Sequence, residues 1–462
     1  MMKRRPVVLI IGGGFSGTST ALNLMRHCEF SMTVHLLEAR DVHGPGLAYD
    51  SPPRQWIMNG MASRLSAIDD IPDHFVKWLC RNVCEDRTEE TYIEAASLYA
   101  QRREYGRYIK DLLRKRNLRN RYGTTVTLVK ASAIKMKSEG HEFLIQTNGE
   151  GVYKADAVIL AVGNQPPRRI FHQQGAPFIE NPWTFSDWRL VPKRASLLLV
   201  GTGQTMMDIV SLLAQRGHRG SIWAISRHGL LPQSQAIRDG FYQFDLDPLP
   251  RELTALFRYV RDSAEAAPQH GANWRDVLIA LRPLIQRHWM QLSLDEQTRF
   301  FRHLLPYWRV HRTRVSPDTW NTVHQRIASG QLRVLAARLK SVVERDTRVD
   351  ATLVPRGDDR DMHLSVDMAI NCTGPNNAYS NVEEPLLRQL LMDGAIVPHP
   401  NGIGLHVKPN GAIIDSRGKT YNRVYAIGPP CEGTLLESTV IREIRSHAIQ
   451  LAKCVIQELR PN

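Results

Sequence analysis

Residues 7–25 read VVLIIGGGFSGTSTALNLM, and residues 197–209 read LLLVGTGQTMMDI. Each stretch starts as an apolar, strand-like run, turns through glycines and passes into residues at helical spacing. Strand, glycine turn and helix in that order cradle a dinucleotide, because the helix N-terminus supplies unpaired N–H groups and the positive end of its dipole to the phosphates. Two such units in one chain predict an α/β protein with two Rossmann-like dinucleotide-binding domains.

The first unit carries Gly12-x-Gly14-x-x-Gly17. Gly12 permits the tight turn, Gly14 lets the backbone approach a pyrophosphate, and Gly17 lets the helix pack closely on its strand. A second strand, MTVHLLEAR, ends in Glu38, 21 residues beyond Gly17, where a carboxylate is placed to bind ribose hydroxyls. An acid there repels a 2′-phosphate, which fits FAD or NAD and argues against NADP. In the second unit Gly201 and Gly203 are kept and Met206 replaces the third glycine. At the same offset stands Arg227, flanked by Ser226 and His228. Arg227 reads either as a surface residue at a strand end or as a bidentate partner for a 2′-phosphate, which selects NADPH. An acid at one cradle and a base at the other imply a resident flavin reduced by a visiting NADPH.

Bulk properties agree with a large soluble globular protein. A chain of 462 residues exceeds one ordinary core and predicts two or three domains, and 42% hydrophobic with 23% charged residues is ordinary for such proteins. No apolar run reaches the roughly 18 residues of a membrane span. The start, MMKRRPVVLIIGGG, imitates a signal peptide, but its apolar run ends in glycines that open a helix, so it reads as a first strand and the expected location is cytoplasmic. The six cysteines form no CxxC and no zinc-type spacing with histidine, so neither disulfides nor a metal site is expected. The net charge of +14 comes from arginines scattered along the chain, which reads as a solvated surface or as steering of anionic ligands rather than a nucleic-acid stripe. No heptad or long apolar face sets an oligomeric state.

Between the cradles REYGRYIKDLLRKRN reads as a helix, and VYKADAVILAVGNQPP as a strand whose end brings Gly163 near the first cofactor. From about 245 to 330 strand signals give way to helical spacing, as in WRDVLIALRPLIQRHWMQL. This region reads as a helical insertion. Its Trp289, Tyr307, His311 and Arg312 are either pocket or ordinary packing. The expected division is 1–190 with 365–462 as a discontinuous FAD domain, and 191–364 as the NADPH domain.

The stretches GGGFSG, GPGLAYDSPPRQWIMNGMASRLS, REYGRYI, AVGNQPP, VGTGQTMMDIV, SRHGLLP, FRHLLPYWRVHRTR, NCTGP and YAIGPPCEGTLLESTVIREIRSHA are spread over nearly the whole chain. Together they resemble the bacterial FAD/NAD(P)-binding proteins related to the flavin-containing and N-hydroxylating monooxygenases. The resemblance implies FAD at Gly12, Gly14, Phe15, Ser16, Gly17, Glu38, Arg40, Val129 and Gly163, and NADPH at Gly201, Gly203, Gln204, Thr205, Ser226 and Arg227. It places Thr373 and Gly374 near the nicotinamide or in the interdomain linker. Gly428, Thr434 and Leu435 would be the backbone bed under the flavin pyrimidine, at the N-terminus of the final helix. Asn59 takes the place of an asparagine beside the reactive flavin carbon, or is a turn residue before Gly60. One departure is plain: Glu180 and Asn181 stand where the Baeyer-Villiger and flavin-containing types carry a histidine.

The implied activity is an NADPH-consuming FAD monooxygenase that hydroxylates a small molecule with O2 through a C4a-(hydro)peroxyflavin. The substrate class does not carry over. The alternatives are an FAD-dependent NADPH reductase or oxidase without oxygen insertion, and a non-catalytic dinucleotide-binding redox sensor.

Overall fold

The computed structural model describes residues 4–50, 52–84, 86, 88–114, 118–149, 151–171, 177–235 and 249–461. The first apolar run is a strand, Val7–Ile11, with Val8, Leu9 and Ile10 fully buried. It pairs in parallel with Thr33–Glu38 on one side and Ala157–Leu160 on the other. Both faces of this sheet are covered, which is why these strands read as continuous apolar runs rather than alternating ones. The six strands run in the spatial order 412–414, 420–426, 157–160, 7–11, 33–38, 125–130. Thr420–Ala426 lies parallel beside Ala157–Leu160, and the last helix, Ile441–Leu459, packs on the first, Phe15–His27. The C-terminal segment therefore completes the first layer.

The second cradle opens a seven-stranded sheet in which Leu197–Val200 lies between Ile222–Ser226 and Met368–Asn371, all parallel. Its far side is an antiparallel meander of 332–345, 348–355 and 362–366. A separate three-stranded antiparallel sheet, 133–139, 142–147 and 152–155, lies under the first. The fold is thus α/β, with two Rossmann-like dinucleotide-binding units.

The sheets divide the chain differently from the expected bounds. Phe178–Ile179, within 1–190, and Met368–Asn371, within 365–462, both pair in the second sheet. The buried run Met368–Asn371 has its register with Leu197–Val200, so the chain leaves the second unit only after Asn371. Helices run over Leu253–Ala266, Trp274–Trp289, Leu294–Arg299 and Leu305–Arg312, while the expected start of the helical region at 245–248 lies outside the described residues. Helix Pro317–Ala328 packs on Gln204–Gln215 and leads into the strand Leu332–Arg345. It is therefore the crossover of the second Rossmann unit and not part of the insertion.

Candidate functional site

The first glycine turn is built by close approach. Gly12 sits at φ +108°, and a Cβ there would lie 2.2 Å from the Ala161 carbonyl oxygen. A Cβ at Gly17 would lie 2.0 Å from the Gly12 oxygen, so the helix rests directly on the turn. Gly14 is the N-cap and offers no side-chain cap, leaving the first-turn N–H groups, including those of Phe15 and Ser16, open to a ligand. Gly428 closes the cradle from the C-terminal segment, with its Cβ position 2.5 Å from Ser16 Oγ. Gly46 borders Gly14 from the other side, and open space surrounds the Cβ position of Gly163. A wall of glycine backbone around an uncapped helix end fits a dinucleotide pyrophosphate.

Glu38 is buried and fully engaged. Its Oε1 accepts from the backbone N of Arg40 at 3.1 Å and Arg40 Nε at 3.0 Å, and its Oε2 accepts from Gly13 N at 3.1 Å and Arg40 Nη2 at 3.0 Å. Those bonds occupy the roughly four acceptor positions of a carboxylate. Any further donor to this carboxylate would have to displace part of the Arg40 fork, which is one-third exposed. Val129 offers its carbonyl to His43 Nε2 at 3.1 Å, and the same nitrogen lies 3.1 Å from the Leu36 carbonyl, so His43 pins the loop after Glu38 across two strand ends.

At the second cradle Gly201 has φ +115°, and its Cβ position lies 2.2 Å from the Cys372 carbonyl oxygen. Gly203 caps the helix Gln204–Gln215 without a side-chain bond and has nothing within 4 Å of its Cβ position. Met206 is fully buried, so the lost third glycine is used for packing. Thr205 is buried in the first turn, and Gln204 donates through Nε2 to the carbonyls of Thr313 and Arg314, each at 3.2 Å. Ser226 Oγ accepts from Gly229 N at 3.0 Å and lies 2.8 Å from the Thr202 hydroxyl, which fixes the turn after the strand. That turn leaves Arg227 exposed, beside His228, whose Nδ1 lies 3.3 Å from Arg356 Nη1. Burial, then Arg356 and Arg227, holds the His228 pKa below its usual value, so the two guanidiniums flank an imidazole that favours its neutral form, and the corner after the strand Ile222–Ser226 is cationic through its arginines. Arg356 enters from the meander, and no sequence motif announced it.

The units are bolted together by one buried ion pair. Arg102 Nη2 lies 2.8 Å from Asp208 Oδ2, with both side chains under a tenth exposed. Arg102 also donates to the Ile57 carbonyl and lies against the rings of Trp56 and Trp183. Burial raises the Asp208 pKa while Arg102 opposes the rise. Two residues beyond Ile57, Asn59 is half-buried, and its carbonyl accepts from Gln235 Nε2 at 2.9 Å. Thr373 donates from backbone and hydroxyl to Asn371 Oδ1, and Gly374 follows at φ +82°. Glu180, at the position of departure, serves the structure: its carboxylate accepts from Ile170 N, Phe171 N and Asn371 Nδ2 and ties one linker to the other.

Thr434 and Leu435 are displaced from the expected helix end. The final helix begins at Ile441, whereas these two lie in the turn that precedes it, Thr434 bonding the Val407 carbonyl and Leu435 the Cys431 carbonyl. The helical insertion covers that turn. Trp289 Nε1 donates to Gly433 O at 3.0 Å, Gln286 to Thr434 O at 3.1 Å, and Arg312 pairs with Glu437 at 2.5 Å. Trp289 is thus packing, His311 stacks edge-on to Trp274, and Tyr307 lies 5.7 Å from His228 between ring centres. Among the described residues no cluster of His, Cys, Asp or Glu could hold a metal, and no helix is long and apolar enough to cross a membrane.

A family model described as FAD-NAD(P)-binding matches residues 9–165. The match spans the first cradle, Glu38, Val129 and Gly163. No curated protein sequence matches the chain. Among solved structures, an ornithine hydroxylase from Pseudomonas aeruginosa in its reduced form aligns at TM-score 0.66 and 14% identity, over 99% of this chain and 100% of that one. An ornithine N-hydroxylase from Kutzneria sp. 744, with reduced FAD, NADP+ and L-ornithine, aligns at TM-score 0.65 and 14% identity, over 98% and 100%. A bacillithiol disulfide reductase from Bacillus cereus aligns at TM-score 0.57 and 12% identity, over 98% and 100%. At these identities the likeness is one of fold, and it extends along nearly the full chain.

Proposed function

We propose that the protein is an FAD-dependent, NADPH-consuming monooxygenase that inserts oxygen from O2 into a small molecule in the cytoplasm. The observation that carries this reading is the pair of glycine cradles bolted by Arg102–Asp208, with an acid–arginine fork at one ribose end and a bare cationic corner at the other. FAD, when bound, supplies hydride acceptance and oxygen activation. The chain holds it through Gly12, Gly14, Phe15, Ser16, Gly17, Gly163 and Gly428, with Glu38, Arg40 and Val129 at its adenosine end. Gly201, Gly203, Gln204 and Thr205 receive the NADPH pyrophosphate, and Arg227, His228 and Arg356 its 2′-phosphate. Ser226 shapes the turn that aims Arg227. Asn59 orients the reacting edge, Thr434 and Leu435 support the pyrimidine, Thr373 and Gly374 border the nicotinamide, and the insertion excludes water.

The second reading, an NADPH reductase or oxidase, shares both cofactors, and its fold is also that of the disulfide reductase. Against thiol relay, Cys372 and Cys431 are buried with pKa values pushed far up by burial, and all six cysteines are free thiols. The deciding experiment compares NADPH consumed, H2O2 released and oxygenated product formed across a substrate panel. Product in near-equal amount to NADPH supports the monooxygenase. Quantitative H2O2 with every substrate shifts the reading to an oxidase, and no flavin reduction at all leaves a sensor.

A further inference from the structure

Arg314 lies in the turn between Leu305–Arg312 and Pro317–Ala328 and is only 7% exposed. Its Nε has no hydrogen-bond partner, and among the described residues its guanidinium forms no ion pair. The charges that act on it are Arg275, Arg312 and Arg64, all of its own sign, with the Tyr99 phenol opposing them. Of the nearby acids, Glu437 holds Arg312, Asp276 Oδ2 caps the helix Trp274–Trp289 and acts on Arg275, and Asp318 acts through space on Tyr99 and forms no ion pair with Arg314 among the described residues. Trp274 lies 4.3 Å from the Arg275 guanidinium carbon and 5.7 Å from that of Arg314, measured to the ring centre. Ring contacts hold a guanidinium but do not neutralise it. A buried, unpaired cation among like charges is costly unless an anion completes it. Burial and those three arginines lower the Arg314 pKa to about 10, which leaves it charged at neutral pH.

The position of this cluster is specific. The Arg314 carbonyl accepts from Gln204 in the first turn of the second-cradle helix. Val315 pairs through its backbone with Gln233 and Gln235, and Gln235 reaches the Asn59 carbonyl. Arg275 Nε donates to Ser234 O at 3.3 Å, on the same strip, and Arg64 follows Asn59 closely in sequence. The cationic group therefore sits within a few side chains of the residue assigned to the reacting edge of the flavin.

We infer that Arg314, with Arg275 and Arg64, receives the oxyanion of an anionic substrate, a carboxylate or a phosphate, and so holds the rest of that molecule toward Asn59. This rests on the proposed function, in which NADPH occupies the second cradle separately. The guanidinium fork matches either oxyanion in bidentate fashion, and Trp274 favours a flat ligand body.

The test uses the full FAD-loaded chain, titrated calorimetrically and by thermal denaturation with benzoate in one arm and inorganic phosphate in the other, each with and without saturating NADP+. Expected is saturable binding and a raised Tm with one probe, retained in the presence of NADP+ and weakened about tenfold or more in Arg314→Met. Arg314→Met should be at least as stable as the wild type without anion, because an unpaired buried charge is removed. Arg275→Met, on the cluster's outer side, provides the same reading should the first variant fold poorly. The inference is overturned if neither probe binds, if binding survives both substitutions, or if NADP+ displaces the probe, which would assign the cluster to dinucleotide phosphate. Anaerobic flavin reduction by NADPH is followed separately, so failure of the redox reading would not be confused with failure of anion binding.

Discussion

Gly203→Ala separates a glycine kept for a ligand from one kept for the fold. Gly203 has φ −81° and ψ −163°, an extended conformation open to alanine, and no heavy atom lies within 4 Å of the added Cβ. Alanine is a poorer N-cap than glycine by up to about 1 kcal/mol. It also restricts the unfolded chain, which favours the native state by about 0.4–1 kcal/mol. The two effects nearly cancel, so Tm should move by no more than about 3 °C. The methyl group would nevertheless stand where the pyrophosphate meets the first-turn N–H groups, and losing one charge-assisted bond of about 1.5–3 kcal/mol weakens binding roughly ten- to a hundredfold. The assay is anaerobic mixing of the FAD-loaded variant with increasing NADPH, following the loss of visible flavin absorbance. Gly201→Ala is the contrast: with φ +115° and the Cβ position 2.2 Å from the Cys372 oxygen, it should cost about 2–4 kcal/mol in stability. An unchanged apparent Kd for NADPH in a well-folded Gly203→Ala protein would refute this placement of the second dinucleotide.

Arg227→Ala and Arg356→Ala should each reduce the preference for NADPH over NADH by about tenfold or more while leaving the NADH rate in place, measured as the ratio of kcat/KM values. Equal loss with both nucleotides would instead mark a structural role. Arg102→Met strands a buried Asp208 and should destabilise by about 3–5 kcal/mol, whereas adding Asp208→Leu should recover much of the loss. A double variant no better than the single one would show that the pair is not the unit. Burial depresses the pKa of His447 to about 4, so the unfolded chain binds its proton first as pH falls. Its contribution is complete above the unfolded value of about 6.5 and lost toward pH 4, up to about 3 kcal/mol. The thermal stability of His447→Gln should therefore change less between pH 7 and pH 5 than that of the wild type.

Both cradles were legible from the sequence because their requirements are local: a glycine at the turn, a glycine at the N-cap and an apolar strand before them determine the backbone path within a few residues. Gly12, Gly14, Gly17, Gly201 and Gly203 could be read in this way, as could the helical character of the region after 249. The ends of elements were less legible. Thr434 and Leu435 read as the opening of the last helix, but the helix waits until Ile441 because the intervening turn is held by Trp289, Gln286 and Arg312 from the insertion. Likewise Met368–Asn371 reads as an apolar strand anywhere, and only its register with Leu197–Val200 assigns it to the second sheet.

By itself, then, the sequence determined two glycine-turn units and the sign of the charge that follows each. Tertiary structure decided which distant groups meet those charges. Asp208 sits inside the second glycine-turn stretch and Arg102 just before REYGRYI, yet their pairing depends on helix packing that no local pattern encodes. Arg356 comes to His228 from the end of a strand far away in sequence. Arg314 looks like one more surface arginine in a chain of net charge +14 until the fold buries it without a counterion. The physical reason is the same in each case: backbone conformation follows from neighbours in sequence, whereas the energy of a charge follows from what surrounds it in space.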